Sequence, residues 1–96
     1  MISCSFWVVT FLANVPLPVV NGKDMLRFLE RNGYVLKRCK GSHFHYKRSD
    51  GKGYLITVPV HGKDEIKADT LDSIIYYIAI NEGMTIDEVR RAISEM

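Results

Sequence analysis

The first 20 residues hold no lysine and no arginine. A secretory leader opens on a basic stretch and closes on a small-residue cleavage site, and neither is legible here. Phe6–Ala13 is an apolar run, but it falls short of the roughly 20 residues a membrane-crossing helix needs. Cysteine is scarce. Cys4 and Cys39 lie far apart with no CxxC-type spacing, so no cysteine metal motif is written in the chain. Free thiols in a reducing cytosol are a plainer reading of them than a single disulfide. Of three prolines, two fall in Val15-Pro16-Leu17-Pro18, where they end any helix and deny a strand its backbone donors. Internal repeats, low-complexity tracts and linkers are absent from Asn21–Met96. Residues 1–20 therefore read as an apolar appendage: loosely packed, the product of an upstream start codon, or an extra strand over a sheet edge, with a signal peptide or anchor as the minority reading. Residues 21–96 read as one small domain.

What is present is an ordinary soluble composition, 47% apolar and 25% charged. The net charge of +2 conceals a division. Ten basic residues face three acids between Gly22 and Lys63, a balance of +7, whereas Asp64–Met96 carries eight acids against three bases, a balance of −5. A basic front half suits a polyanionic partner such as nucleic acid, and the plainer alternative is a lysine-rich solvated surface.

The local signals give an α+β order. Asn21 can cap a helix whose Asp24 stands in capping-box position, with Met25, Leu26, Phe28 and Leu29 as its apolar stripe and Asn32-Gly33 as its end. Tyr34–Cys39 and Ser42–Arg48 read as strands joined through Lys40-Gly41. Ser49–Gly53 is a turn, and Tyr54–Val58 is a third strand closed by Pro59. Val60–Ala68 is a loop. Asp69 or Thr70 caps a buried helix carrying Leu71, Ile74, Ile75 and Ile78, broken at Asn81–Met84, with Tyr76-Tyr77 at its core and rim. Thr85–Glu88 is a capping box for a short final helix with Ile86, Val89 and Ile93 on one side. The expected architecture is α-β-β-β-α, a three-stranded antiparallel meander with both main helices on one face, plus the terminal helix.

One stretch, Lys40-Gly41-Ser42-His43-Phe44-His45, concentrates chemistry. On a strand, His43, His45 and Lys47 share one face while Phe44 and Tyr46 take the other. Cleavage of an RNA phosphodiester needs a base for the 2′-hydroxyl, an acid for the leaving oxygen and positive charge on the phosphate. Imidazole titrates near neutrality and suits the first two tasks. Lysine and arginine suit the third. The plain alternatives are a half-exposed strand histidine at 43, a binding helper at 45 and a loop histidine at 61. A zinc site from His43, His45 and His61 lacks an obvious fourth ligand. Ser42, read as a strand residue, points away from His43, which argues against a Ser-His nucleophile. Gly41 reads as the glycine that permits a tight turn.

Asn21-Gly22-Lys23-Asp24, Leu29–Tyr34, Gly41-Ser42-His43, Val58-Pro59-Val60-His61 and Thr70–Ile74 together resemble the HicA family of toxins in type II toxin–antitoxin modules. The likeness runs from about Val20 to Ile93. It implies a double-stranded-RNA-binding-like fold, cytoplasmic mRNA-cleaving activity without metal or other cofactor, and neutralisation by a HicB-type antitoxin. By the resemblance the catalytic role falls on His43, with Gly41 and Ser42 completing its motif and His61 matching a recurrent histidine after the third strand. Lys37, Lys40, Gly41, Ser42, His45, Lys47 and His61 are the candidate RNA contacts. The rival readings are a non-catalytic double-stranded-RNA-binding module and, more weakly, an antitoxin-like domain acting through protein contacts alone. Members of the family begin close to the first helix, so Met1–Val20 is the point of departure.

Overall fold

A computed structural model of the chain describes residues 15–96. Its elements run α1 (Gly22–Arg31), β1 (Tyr34–Lys40), β2 (His43–Arg48), β3 (Ile56–Pro59), α2 (Ala68–Glu82) and α3 (Ile86–Ser94). The sheet has the order β1-β2-β3 with both pairs antiparallel. This is the expected α+β meander, with a helix before it and two after. Of the segment 1–20, only the described part can be placed. The carbonyl of Val15 accepts from Arg90 Nη1 at 2.9 Å, Leu17 packs against the core, and Val20 belongs to it. Cys4 and the run Phe6–Ala13 lie outside the described residues.

α1 begins where the side chain of Asn21 accepts from the Asp24 amide at 2.9 Å, satisfying one of the orphan donors of the first turn. Its apolar stripe turns Met25, Phe28 and Leu29 into the core and leaves Leu26 half-buried. The cradle against the sheet is tight at the helix start. A Cβ on Gly22 would stand 2.6 Å from the carbonyl oxygen of Pro59 and 2.8 Å from Val60 Cα, so only glycine lets the helix approach the end of β3.

α2 begins at Ala68, so its cap falls two residues before Asp69 and three before Thr70, the expected caps. Lys67 occupies the cap position without a side-chain bond, and Asp69 sits in the first turn, where its charge meets the positive end of the helix dipole. Leu71, Ile74, Ile75 and Ile78 are buried, as their spacing foretold. Tyr76 and Tyr77 are not core: they are 52% and 38% exposed and pack edge-on to one another on the outer side of the helix. The helix runs through Asn81 to Glu82 and closes on Gly83 in the left-handed conformation. α3 carries the full capping box between Thr85 and Glu88 and buries Val89 and Ile93, while Ile86 remains largely outside.

Strand limits shift by one or two residues from expectation. β1 gains Lys40, β2 starts at His43 rather than Ser42, and β3 is Ile56–Pro59. The start of β3 is delayed because Asn81 captures the preceding loop. Its side chain accepts from the Tyr54 amide at 2.7 Å and donates to the Tyr54 carbonyl at 3.0 Å. Arg48 braces the same corner, donating to the Asn81 carbonyl at 2.6 Å and to Asp50 at 2.8 Å. The Lys52 amide, and then Arg48, hold the Asp50 carboxyl below the usual carboxylate range.

Two buried tyrosines tie the sheet to the helices. The Tyr46 hydroxyl donates to Glu30 at 2.6 Å and that of Tyr34 to Glu82 at 2.8 Å. Burial, followed by these bonds to carboxylates, pushes both phenols up to about 12. The unfolded chain releases these protons near pH ~10. Between those values the folded state binds more protons than the unfolded one, so stability is full below the lower value and is lost as pH rises towards the upper. The melting temperature is expected to fall steadily between about pH 10 and 12, and less steeply in Tyr46→Phe. A parent protein with a flat profile there would contradict this account of the two hydroxyls.

Candidate functional site

The sheet has one face under the helices and one open. On β2, Tyr46 is buried and Phe44 half-buried on the helix side, which sends His43, His45 and Lys47 to the open side. Residues paired across strands share a face, so the register names their neighbours. Lys40 lies opposite His43, Arg38 opposite His45 and Val35 opposite Lys47 on β1. Pro59 lies opposite His43 and Thr57 opposite His45 on β3. No acidic residue occupies any of these positions, and Arg38, Lys40 and Lys47 give the face a net positive charge.

The register contains an irregularity that decides which basic side chains join the histidines. Between Leu36 and Arg38 the pairing slips by one residue, leaving Lys37 as an extra, unpaired residue in a β-bulge. Simple alternation from Tyr34 would put Lys37 on the open face and Arg38 on the other. The bulge reverses this, so Arg38 rather than Lys37 stands in register with His45. Of the candidate contacts on the strands, Lys37 is the one that the sheet does not bring into that array, and His61 lies outside it in the loop after β3. Arg38 is the residue that the sequence reasoning missed, and its signal was legible. Counting back from the Gly41-Ser42 turn, rather than forward from the helix, places Lys40 opposite His43 and Arg38 opposite His45.

Gly41 and Ser42 form the two-residue turn between β1 and β2. Gly41 has φ 60°, whereas among the described residues none other than glycine takes positive φ, so Ser42 does not. A positive φ at the first central position alone is the pattern of a type II′ hairpin, whose first central residue is glycine. Ser42 is thus a turn residue rather than a strand residue pointing away from His43. Its carbonyl accepts from the Val60 amide at 2.8 Å, which fastens the turn to the end of β3. Through Val60 and Pro59 the turn is tied to the tight cradle at Gly22.

His43 is exposed, and its ring makes no hydrogen bond among the described residues. His45 is half-buried, and its Nδ1 lies 2.9 Å from the Thr57 hydroxyl. His61 is exposed in the loop after β3, where its carbonyl accepts from the Asp64 amide at 3.0 Å. Among the described residues no group of three histidine, cysteine, aspartate or glutamate side chains is placed to hold a metal ion, so the three histidines do not converge. Cys39 is a free thiol on the exposed hairpin. Arg48, although basic, is committed to Asn81, Asp50 and Glu82 at the far corner and is not part of the array.

A three-stranded antiparallel sheet backed on one side by helices, in the order α-β-β-β-α, defines an α+β domain with a double-stranded-RNA-binding-like fold. The family model described as HicA toxin of bacterial toxin-antitoxin matches residues 22–80, from the start of α1 to near the end of α2. That is more than half of the chain, and the protein belongs to this toxin family. Comparison with curated proteins gives no match. Membership implies a cognate antitoxin as partner. No helix among the described residues is long and apolar enough to cross a membrane.

Proposed function

We propose that this toxin is an endoribonuclease that cleaves mRNA by acid/base chemistry without a metal ion, in a unit spanning residues 21–96. The observation that carries the reading is the exposed His43 in register with Lys40, beside His45 and Arg38, on a face with no acidic residue. His43 moves a proton of the reacting ribose or of the leaving oxygen. Lys40 and Arg38 lie against the phosphate, where fixed positive charge stabilises the charge that builds up on phosphorus-bound oxygens. Gly41 and Ser42 in the turn, Lys47 further along the same face of β2, and His61 in the loop after β3 serve as contacts to the strand of RNA. An open face suits a polymer, since it contacts the phosphate backbone rather than enclosing a small molecule.

The cognate antitoxin in this proposal is a HicB-type protein that covers the basic face and keeps RNA from His43. Charge favours an antitoxin surface rich in acids, which would also speed encounter. Incubation of the purified protein with labelled mRNA in excess EDTA is expected to yield discrete cleavage products, suppressed by added antitoxin. Salt-dependent binding without any cleavage over long incubation would overturn the nuclease reading and leave a non-catalytic RNA-binding module.

A further inference from the structure

His45 differs from His43 in having a fixed partner. Its Nδ1 meets the hydroxyl of Thr57 at 2.9 Å, across from it on β3, so the ring's orientation is set and Nε2 is the nitrogen left for a ligand. Two residues apart on one strand, His43 and His45 stand about 6.6 Å apart along the chain, with side chains on one face. A general acid or base needs reach of about 2.6–3.2 Å to its proton's destination. Two imidazoles at this spacing can therefore serve opposite sides of a single phosphate, as in-line displacement requires.

We propose that His45 is a second catalytic residue, the general acid that protonates the leaving 5′-oxygen, with Thr57 as its positioning residue. The inference rests on the ribonuclease reading above. A protonated imidazole carries two N–H donors. Thr57 Oγ1 accepts one and the leaving oxygen accepts the other, so the acid form is fully satisfied at the site. The Nδ1–H to hydroxyl bond also survives loss of the Nε2 proton, so the ring need not turn over during the reaction. His43, exposed and without a partner among the described residues, is the base. The charged groups facing His45 are Arg38 across on β1, with Lys47 and His43 along its own strand. Each of the first two can lie against a non-bridging phosphate oxygen.

The step balances as follows. His43 takes the proton of the ribose 2′-hydroxyl, and the freed electron pair forms a bond from O2′ to phosphorus. The bond from phosphorus to O5′ breaks with its pair on oxygen, which takes the Nε2 proton of His45. The products are a 2′,3′-cyclic phosphate and a 5′-hydroxyl. His43 is left protonated and His45 neutral, a difference that exchange with water resets.

The test uses the full chain and two matched substrates: ordinary RNA, and RNA whose scissile 5′-oxygen is replaced by sulfur, a leaving group that needs no protonation. His45→Ala is expected to lose about 10²-fold or more on ordinary RNA, and to approach the parent rate on the sulfur-bridged substrate. Thr57→Val should lose less on ordinary RNA and nothing on the sulfur-bridged one. His43→Ala should be defective on both. An equal loss on both substrates for His45→Ala would make His45 a binding residue and overturn the proposal, as would unchanged cleavage of ordinary RNA. Rescue of His43→Ala in place of His45→Ala would exchange the two roles and overturn the assignment. Undiminished cleavage by His43→Ala would remove His43 as the base and overturn the pairing, whereas absence of cleavage by the parent protein defeats the ribonuclease reading itself, an outcome distinct from failure at His45 alone.

Discussion

Replacement of His43 by alanine is expected to reduce RNA cleavage by about 10²–10⁴-fold, the usual contribution of a positioned proton-transfer group, and to abolish growth arrest when the protein is produced without its antitoxin. The same variant should melt with the parent. The His43 ring is exposed and unbonded among the described residues, and substitutions at such positions usually change stability by no more than about 0.5 kcal/mol. This separation of activity from stability is the informative part. A variant that loses toxicity because it unfolds would say nothing about chemistry. A variant that remains folded, still binds RNA and no longer cleaves it isolates the imidazole. Retained toxicity at parental level would remove His43 from the mechanism and leave the basic face as a binding surface.

The second large effect concerns stability and lies at Gly22. Helix propensity alone predicts that Gly22→Ala stabilises α1, because alanine loses less backbone freedom than glycine, by about 0.5–1 kcal/mol. Packing predicts the reverse. The new methyl would meet the Pro59 carbonyl oxygen at 2.6 Å and Val60 Cα at 2.8 Å, and both are backbone atoms with little freedom to yield. Overpacking of this kind costs about 1–3 kcal/mol or more, which outweighs the propensity gain. In a domain of this size that corresponds to a fall of roughly 4–8 °C in melting temperature per kcal/mol. Activity should fall as well, since Pro59 pairs with His43 and the Val60 amide holds the turn at Ser42. Thermal melts of the two proteins decide between the effects, and a raised melting temperature would show that α1 is not pressed against β3.

The element order and the composition of the core were legible because they rest on periodicity. Met25, Phe28 and Leu29 at helical spacing, and Phe44 and Tyr46 alternating with His43 and His45, each leave only one face for burial. The placement of His43 on the open face follows from the same alternation. What could not be read was set by contacts distant in sequence. The late start of β3 depends on Asn81 seizing the backbone of Tyr54, 27 residues away in the chain. Tyr76 and Tyr77 were misjudged for the same kind of reason. Their helix buries Leu71, Ile75 and Ile78, and among the described residues no helix or strand covers the adjoining arc, where the ring of Tyr77 meets that of the loop residue Tyr54 at a tilt. The start of α2 at Ala68 was missed because Lys67 supplies the cap position through backbone conformation alone. The partner of His45 was also hidden, since Thr57 becomes its neighbour only through strand register.

The bulge at Lys37 makes the length of β1 separable from its chemistry. Removing that one residue would join Leu36 directly to Arg38 in an unbroken ladder, with Leu36 still opposite Tyr46 and Arg38 still opposite His45. A six-residue and a seven-residue version of the strand thus present the same side chains on the open face and differ only in local bend and twist. Insertions and deletions are ordinarily ruinous inside a strand, because a slip of one exchanges its two faces. At this position the change of phase is absorbed before it reaches the histidines, so the spacing from α1 to the Gly41-Ser42 turn can drift by a residue while the face bearing His43 and His45 stays the same.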